Sequence, residues 1–185
     1  MQQTQTHHVD RIPVVNLFGG TDEDKRRTAQ RLSVYLSFEY DLAVELCRSY
    51  AQELRAMGFE DNIINNPLRF NGEQIERQSR LVRASGIDVV ITPAPIIMGC
   101  FYPCNPSFED LLLDEFEKFH NFNIFVYGDK EESDEDETGN FQVKDFLNYK
   151  SIPYERMRID DSELELALVA DDIAATYKRL KAYGI

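Results

Sequence analysis

Apolar residues in this chain gather in short runs, and stretches of helical period lie between them. Ile12-Pro13-Val14-Val15-Asn16-Leu17-Phe18 is nearly continuous, β-prone and stops at Gly19-Gly20. That is the pattern of a strand buried on both faces of a parallel sheet. Thr21-Asp22-Glu23-Asp24 follows and places a hydroxyl three residues ahead of an acid, a capping box that predicts a helix to about Tyr35. Leu42 to Cys47 reads as a second strand, and Ser49 to Met57 as a helix closed by Gly58. Residues 59 to 70 read as irregular, and Asn71 as the cap of a polar helix reaching about Ala84. Ile87 to Thr92 is a third strand, ended by Pro93 and Pro95. Ser107 is the expected cap of a helix running through Phe119. Asn123 to Tyr127 is a fourth strand, Gln142 to Tyr149 a short helix and Tyr154 to Ile159 a fifth strand. Ser162-x-x-Glu165 is a second capping box, opening a last helix to about Tyr183.

Strands alternating with helices predict a three-layer α/β fold, a parallel sheet of about five strands with helices on both faces. At 185 residues one domain is expected over 12–185, preceded by a flexible polar arm over 1–11. His7 and His8 in that arm read as solvated side chains. The arm has no apolar signal core, and no apolar run approaches the roughly 18–20 residues of a membrane helix.

Composition changes the picture mainly through charge. The net charge is −13, which disfavours nucleic acid and anionic membrane as direct partners, because both are bound through cations. A basic protein surface, or a second copy of the chain, is the expected partner. Asp129, Glu131, Glu132, Asp134, Glu135, Asp136 and Glu137 form an acidic run broken only by Lys130 and Ser133. It reads either as a partner-binding surface or as a solvated loop. Cys47, Cys100 and Cys104 form no disulfide framework and read as reduced cytosolic thiols rather than zinc ligands.

The strand that turns at glycines into a helix is where a phosphate-binding loop sits, in the form Gly-x4-Gly-Lys-Ser/Thr. Here the frame reads Gly19-x4-Asp24-Lys25-Arg26. Gly19 and Lys25 remain, an acid replaces the second glycine, and an arginine replaces the hydroxyl that would hold magnesium. Gly19, Gly20, Lys25, Arg26 and Arg27 are the candidate residual anion site. Asp22, Glu23 and Asp24 also have a structural reading, since acids in a first helical turn complement its dipole. His120, expected near a helix end, reads as structural rather than as a catalytic base.

Val14-Val15-Asn16-Leu17-Phe18-Gly19-Gly20, followed by Lys25 and Thr28-Ala29, resembles the start of phage-encoded P-loop ATPases related to nucleotide kinases. Val44-Glu45-Leu46 with Tyr50-Ala51-Gln52-Glu53-Leu54, and Asp88-Val89-Val90-Ile91-Thr92-Pro93-Ala94-Pro95, are similar to later segments of that family. Phe122-Asn123-Ile124-Phe125 and Asp129-Lys130 match a further strand and the start of its lid, so the resemblance runs patchily from 12 to about 160. It implies a P-loop kinase-like fold, with the acidic stretch 129–140 in the place of the lid. The departures bear on activity: Thr21-Asp22-Glu23-Asp24 stands for Pro-Gly-x-Gly, Arg26 for the metal-binding hydroxyl, Arg48-Ser49 for a Thr-Glu pair, and Pro93 for an aspartate. At about 4 Å and an effective dielectric near 20, each carboxylate facing a phosphate costs roughly 4 kcal/mol. Phosphoryl transfer rests mostly on electrostatic positioning.

Three readings follow. The leading one is a catalytically inactive P-loop kinase-like protein of the cytoplasm (the host cytoplasm, if phage-encoded), without a required cofactor though with residual nucleotide binding allowed, acting by macromolecular binding or self-assembly. The second is an active nucleotide or nucleoside kinase or ATPase with relocated metal ligands, for which Asp88, Glu45 and Asp22 are the candidates. The third is an acidic decoy of a nucleic-acid-binding protein.

Overall fold

A computed structural model describes residues 12–102, 106–128, 137–159 and 163–183. The arm 1–11, the acidic residues 129–136, Cys104 and Ser162 lie outside the described residues. Five parallel strands form one sheet: β1 Pro13–Gly19, β2 Val44–Leu46, β3 Val89–Thr92, β4 His120–Tyr127 and β5 Glu155–Arg158, in the order β2-β3-β1-β4-β5. The helices are α1 Asp22–Tyr40, α2 Tyr50–Ala56, α3 Asp61–Asn65, α4 Pro67–Arg83, α5 Pro106–Glu117, α6 Glu137–Tyr149 and α7 Glu163–Tyr183, with a 3-10 turn over Ile96–Phe101.

Right-handed crossovers in this strand order send α1 to one face and α4, α5 and α6 to the other. Alternate residues of the central strands reflect that division. Leu17, Ile124 and Val126 join Leu32 and Leu36 of α1 and Ile173 of α7 in the main core. Their neighbours Phe18 and Phe125 point the opposite way, onto Phe116 of α5 and Leu147 of α6. Successive side chains on a strand face opposite sides, which is why β1, buried along its whole length, reads as a continuous apolar run. Asn16 is the polar exception. Its Nδ2 donates to Asn121 Oδ1 and Asn123 Oδ1, both at 2.9 Å, and Asn123 Nδ2 donates to the Pro153 carbonyl at 2.9 Å. These amides tie the centre of the sheet to the entry of β5.

Several boundaries differ from the sequence reading. Residues 59–70 are not irregular: α3 occupies part of them, and α4 starts at Pro67, where a proline fits the first helical turn. Asn71 is therefore not a cap. It lies one turn inside α4, 3% exposed, and its Nδ2 donates to the Pro67 carbonyl at 2.9 Å. Likewise α1 runs on to Tyr40 and stops at Asp41, whose φ is +54°. His120 begins β4 rather than ending a helix. Among the described residues no helix is long and apolar enough to cross a membrane.

Candidate active site

Order reverses at β1, which has β3 on one side and β4 on the other. In open α/β sheets ligands bind beyond the carboxyl ends of the strands at such a switch point. Gly19 ends β1 there with φ +69°, and Gly20 follows with φ +55°. Only Gly20 and Thr21 separate the strand from α1, which starts at Asp22. The five residues that a phosphate-wrapping loop places between its first glycine and its lysine are here mostly the first turn of a helix.

That turn is closed on itself. Thr21 is the N-cap, and its Oγ1 accepts from the Asp24 backbone N–H at 3.2 Å. Asp24 Oδ2 in turn accepts from the Thr21 backbone N–H at 3.1 Å and from the Thr21 hydroxyl at 2.7 Å. A helix N-terminus attracts an anion through its free N–H groups and its dipole. In this chain the Asp24 carboxylate already lies there. Gly20 is hemmed in as well, since a Cβ on it would lie 3.2 Å from Ile159 Cδ1 and 3.3 Å from Asp24 Cβ.

Lys25 is 9% exposed. Its Nζ lies 3.2 Å from Asp22 Oδ1, while Asp22 Oδ2 accepts from Arg55 Nη1 of α2 at 3.1 Å. Burial alone would push the Asp22 carboxyl up, but the Lys25 ammonium and, further down, the Gln52 hydrogen bond and the Arg55 charge outweigh it and hold it below the ordinary carboxylate range. This bridge faces a cavity of about 80 Å³ whose walls include Asn71, Gln74, Phe70 and Tyr102, with Pro93 and Ala94 at the end of β3. Burial raises the Tyr102 phenol, and the Asp22 charge adds to that rise. Ser49 caps α2 by accepting from the Gln52 N–H at 3.3 Å.

The five residues of the candidate anion site are contiguous but do not share one focus. Lys25 turns inward to Asp22. Arg26 lies outside on the same helix, forked onto Glu23 with Nε–Oε2 at 3.0 Å and Nη2–Oε1 at 2.6 Å. Arg27 is exposed and sits a further 100° around the helix. The candidate relocated metal ligands are also apart. Asp88 precedes β3 at the far end of the sheet, where it accepts from the Ala43 N–H at 2.9 Å and from the Tyr177 hydroxyl. Glu45 is exposed on β2, and Asp22 is engaged by Lys25 and Arg55. Among the described residues no three His, Cys, Asp or Glu side chains gather where they could hold one metal ion. Cys47 is 1% exposed, and burial pushes its thiol up to about 11, so it is protonated and unreactive at neutral pH. Of the acidic run, only the backbone of Glu137, the first residue of α6, is described.

Arg55, Gln74 and Tyr102 were not singled out in the sequence as candidate site residues, although Gln74 and the ion pairs of α2 order the cavity wall. Gln74 Oε1 accepts from the Tyr50 N–H at 2.9 Å, and Arg77 links Glu53 of α2 (2.8 Å) to Glu73 of α4 (3.1 Å). A polar stripe at positions 71, 74 and 78, in a helix whose apolar residues are sparse, was the available signal.

The Asp22 bridge has a measurable pH signature. Its folded pKa is depressed, so the stability it contributes is complete above the ordinary Asp value of about 4 and is lost as pH falls through the folded value. Asp22 is half exposed, which screens the pair. Asp22→Asn is therefore expected to cost about 1 kcal/mol at pH 7, or roughly 2–4 °C in Tm. The gap between wild type and variant should close as pH falls below about 4. Denaturant melts across that range check it, and a gap that widens in acid contradicts the bridge.

The sheet order, the helices on both faces and the glycine turn at the end of the central strand define a P-loop kinase-like α/β fold. Thymidylate kinase from Ehrlichia chaffeensis has a similar structure, with a TM-score of 0.57 at 14% identity, over 89% of this chain and 97% of that one. Shikimate kinase from Aquifex aeolicus vf5 overlays with a TM-score of 0.45 at 12% identity, covering 93% of this chain and 99% of that one. No family model matches the sequence, and no curated protein matches it.

Proposed function

We propose that this chain keeps a P-loop kinase-like fold as a scaffold, no longer transfers phosphate, and works by binding another macromolecule or a second copy of itself. The observation that carries the reading is the capping box. Asp24 supplies the anion at the start of α1 that a bound phosphate would otherwise supply. A triphosphate entering there meets this carboxylate, with Asp22 and Glu23 in the same turn, and like charges at such range repel by several kcal/mol, roughly 4 per pair. Pro93 contributes no carboxylate for a metal, and Arg26 opposes one. The net charge of −13 supports a partner of opposite charge over nucleic acid or an anionic membrane.

The specific observation behind an active phosphotransferase is the retained Lys25, which with Arg55 faces a cavity lined by the Asn71 and Gln74 amides. Volume weighs against it. The cavity measures about 80 Å³, and small-molecule pockets run to about 300–1,000 Å³.

Thermal melting with and without Mg-ATP separates the two. A nucleotide at 100 times its dissociation constant adds about 2.7 kcal/mol, a rise of roughly 5–10 °C for a domain of this size. The expected result is no rise at millimolar Mg-ATP, and phosphate release equal to that of Lys25→Ala. Release well above that control would end this reading.

A further inference from the structure

On the far side of Phe70 from the Lys25 cavity, α2, α3 and α4 enclose a second depression, half open and about 270 Å³ in volume. Phe70 and Tyr50 form its inner wall, stacked at 6.1 Å, and Tyr102 braces Phe70 edge-on at 5.4 Å. Arg77 covers the Tyr50 ring at 4.5 Å while its ion pairs hold α2 against α4. The wall is therefore fixed before anything binds, which lowers the ordering cost of binding. Met57 and Phe59 form an exposed apolar lip, 57% and 54% exposed. Asn62, Asn66 and Arg69 supply the polar rim.

Charge sets this unit apart from the rest of the molecule. Residues 49–84 carry five carboxylates and five guanidinium groups, hence no net charge, against −13 for the whole chain. Arg55, Arg77 and Arg80 each have a carboxylate partner. Arg69, exposed on the rim, has none among the described residues. An unpaired fork beside an apolar hollow suits a carboxylate attached to an apolar group. The two asparagine amides suit the N–H and C=O groups of a peptide backbone. The volume takes one large side chain and its flanking backbone.

We infer that the groove between α2, α3 and α4 is a docking site for a peptide segment of a partner protein, in which an aromatic side chain enters against Phe70 and the carboxylate of the next residue pairs with Arg69. The inference is independent of whether Gly19 and Lys25 support phosphate chemistry. Its failure leaves the Mg-ATP result untouched, and the reverse holds as well.

The test is an amide-shift titration of the full ¹⁵N-labelled chain with the blocked peptide acetyl-Gly-Phe-Asp-Gly-amide. Two comparison peptides replace Phe by Ala or Asp by Lys. The expected result is shifts confined to α2–α4, with at least tenfold weaker binding by both comparison peptides. Phe59→Ala should weaken the Phe-Asp peptide, and Arg69→Glu should reverse the order of the Asp and Lys peptides. Both positions are exposed, so both variants keep the fold, which their unchanged spectra outside the groove will verify. Equal response to the three peptides, shifts elsewhere on the surface, or an unaltered order in Arg69→Glu overturns the proposal. Groove signals that move with protein concentration alone also overturn it, because they assign the groove to a second copy.

Discussion

Gly19→Ala is expected to cost at least about 3 kcal/mol, lowering Tm by roughly 6–12 °C. Two effects add. The residue sits at φ +69°, a conformation that costs an L-residue about 1–2 kcal/mol. A Cβ there would also lie 2.4 Å from the Val126 carbonyl oxygen and 2.9 Å from the Phe125 ring. The carbonyl belongs to β4, an interior strand paired to both β1 and β5, so it cannot retreat without breaking the sheet. Gly58→Ala is the control. Its φ is +76° but nothing lies within 4 Å of the added methyl, so it should lose only about 1 kcal/mol. Similar melting points for the two variants would show that the contact with β4 does not matter. The result bears on function. If the fold alone demands Gly19, its presence at the head of a phosphate-loop frame says nothing about phosphate.

That frame shows how far the sequence could be read. The five strands and the helices on both faces were legible because most of the strands lie in apolar runs bounded by glycine, proline or a cap, whereas the order of the strands was not. Thr21 and Asp24 announced the start of α1 correctly, and Gly58 the end of α2. Residues 59–70 read as irregular because Asn65, Asn66 and Pro67 look like turn residues, while Pro67 in fact occupies the one part of a helix that tolerates it. The 3-10 turn over Ile96–Phe101 has no sequence signal of its own, since Pro93 and Pro95 mark only that the strand ends. Directions of side chains were the larger gap. The sequence places Lys25, Arg26 and Arg27 together, yet helical geometry separates them by 100° steps. Nothing local reveals that Arg55, some thirty residues on, shares Asp22 with Lys25. The groove was equally hidden, because its walls come from three helices, one of them unforeseen.

Gln78→Met is expected to stabilise the protein by about 2 kcal/mol, raising Tm by roughly 4–8 °C. Gln78 is wholly buried, and neither its Nε2 nor its Oε1 has a hydrogen-bond partner among the described residues. Each buried, unsatisfied polar atom costs about 1–3 kcal/mol. Methionine has nearly the same shape and no group to desolvate, so it fills the space without strain. The neighbouring polar residues of α4 behave differently, which makes the comparison sharp. Asn71 donates to the Pro67 carbonyl, and Gln74 accepts from the Tyr50 N–H and donates to Cys47 Sγ at 3.5 Å. Gln74→Met should therefore lose about 1–3 kcal/mol by orphaning the start of α2, opposite in sign to its neighbour one turn along. Equilibrium denaturation of both variants measures this directly. Should Gln78→Met also lose stability, Gln78 has a buried partner, and the polar face of α4 extends unbroken from the Lys25 cavity into the core. Its amides would then act as one network, so the α2–α4 unit would be anchored by hydrogen bonds along its length and not only by its aromatic cluster and the Arg77 ion pairs.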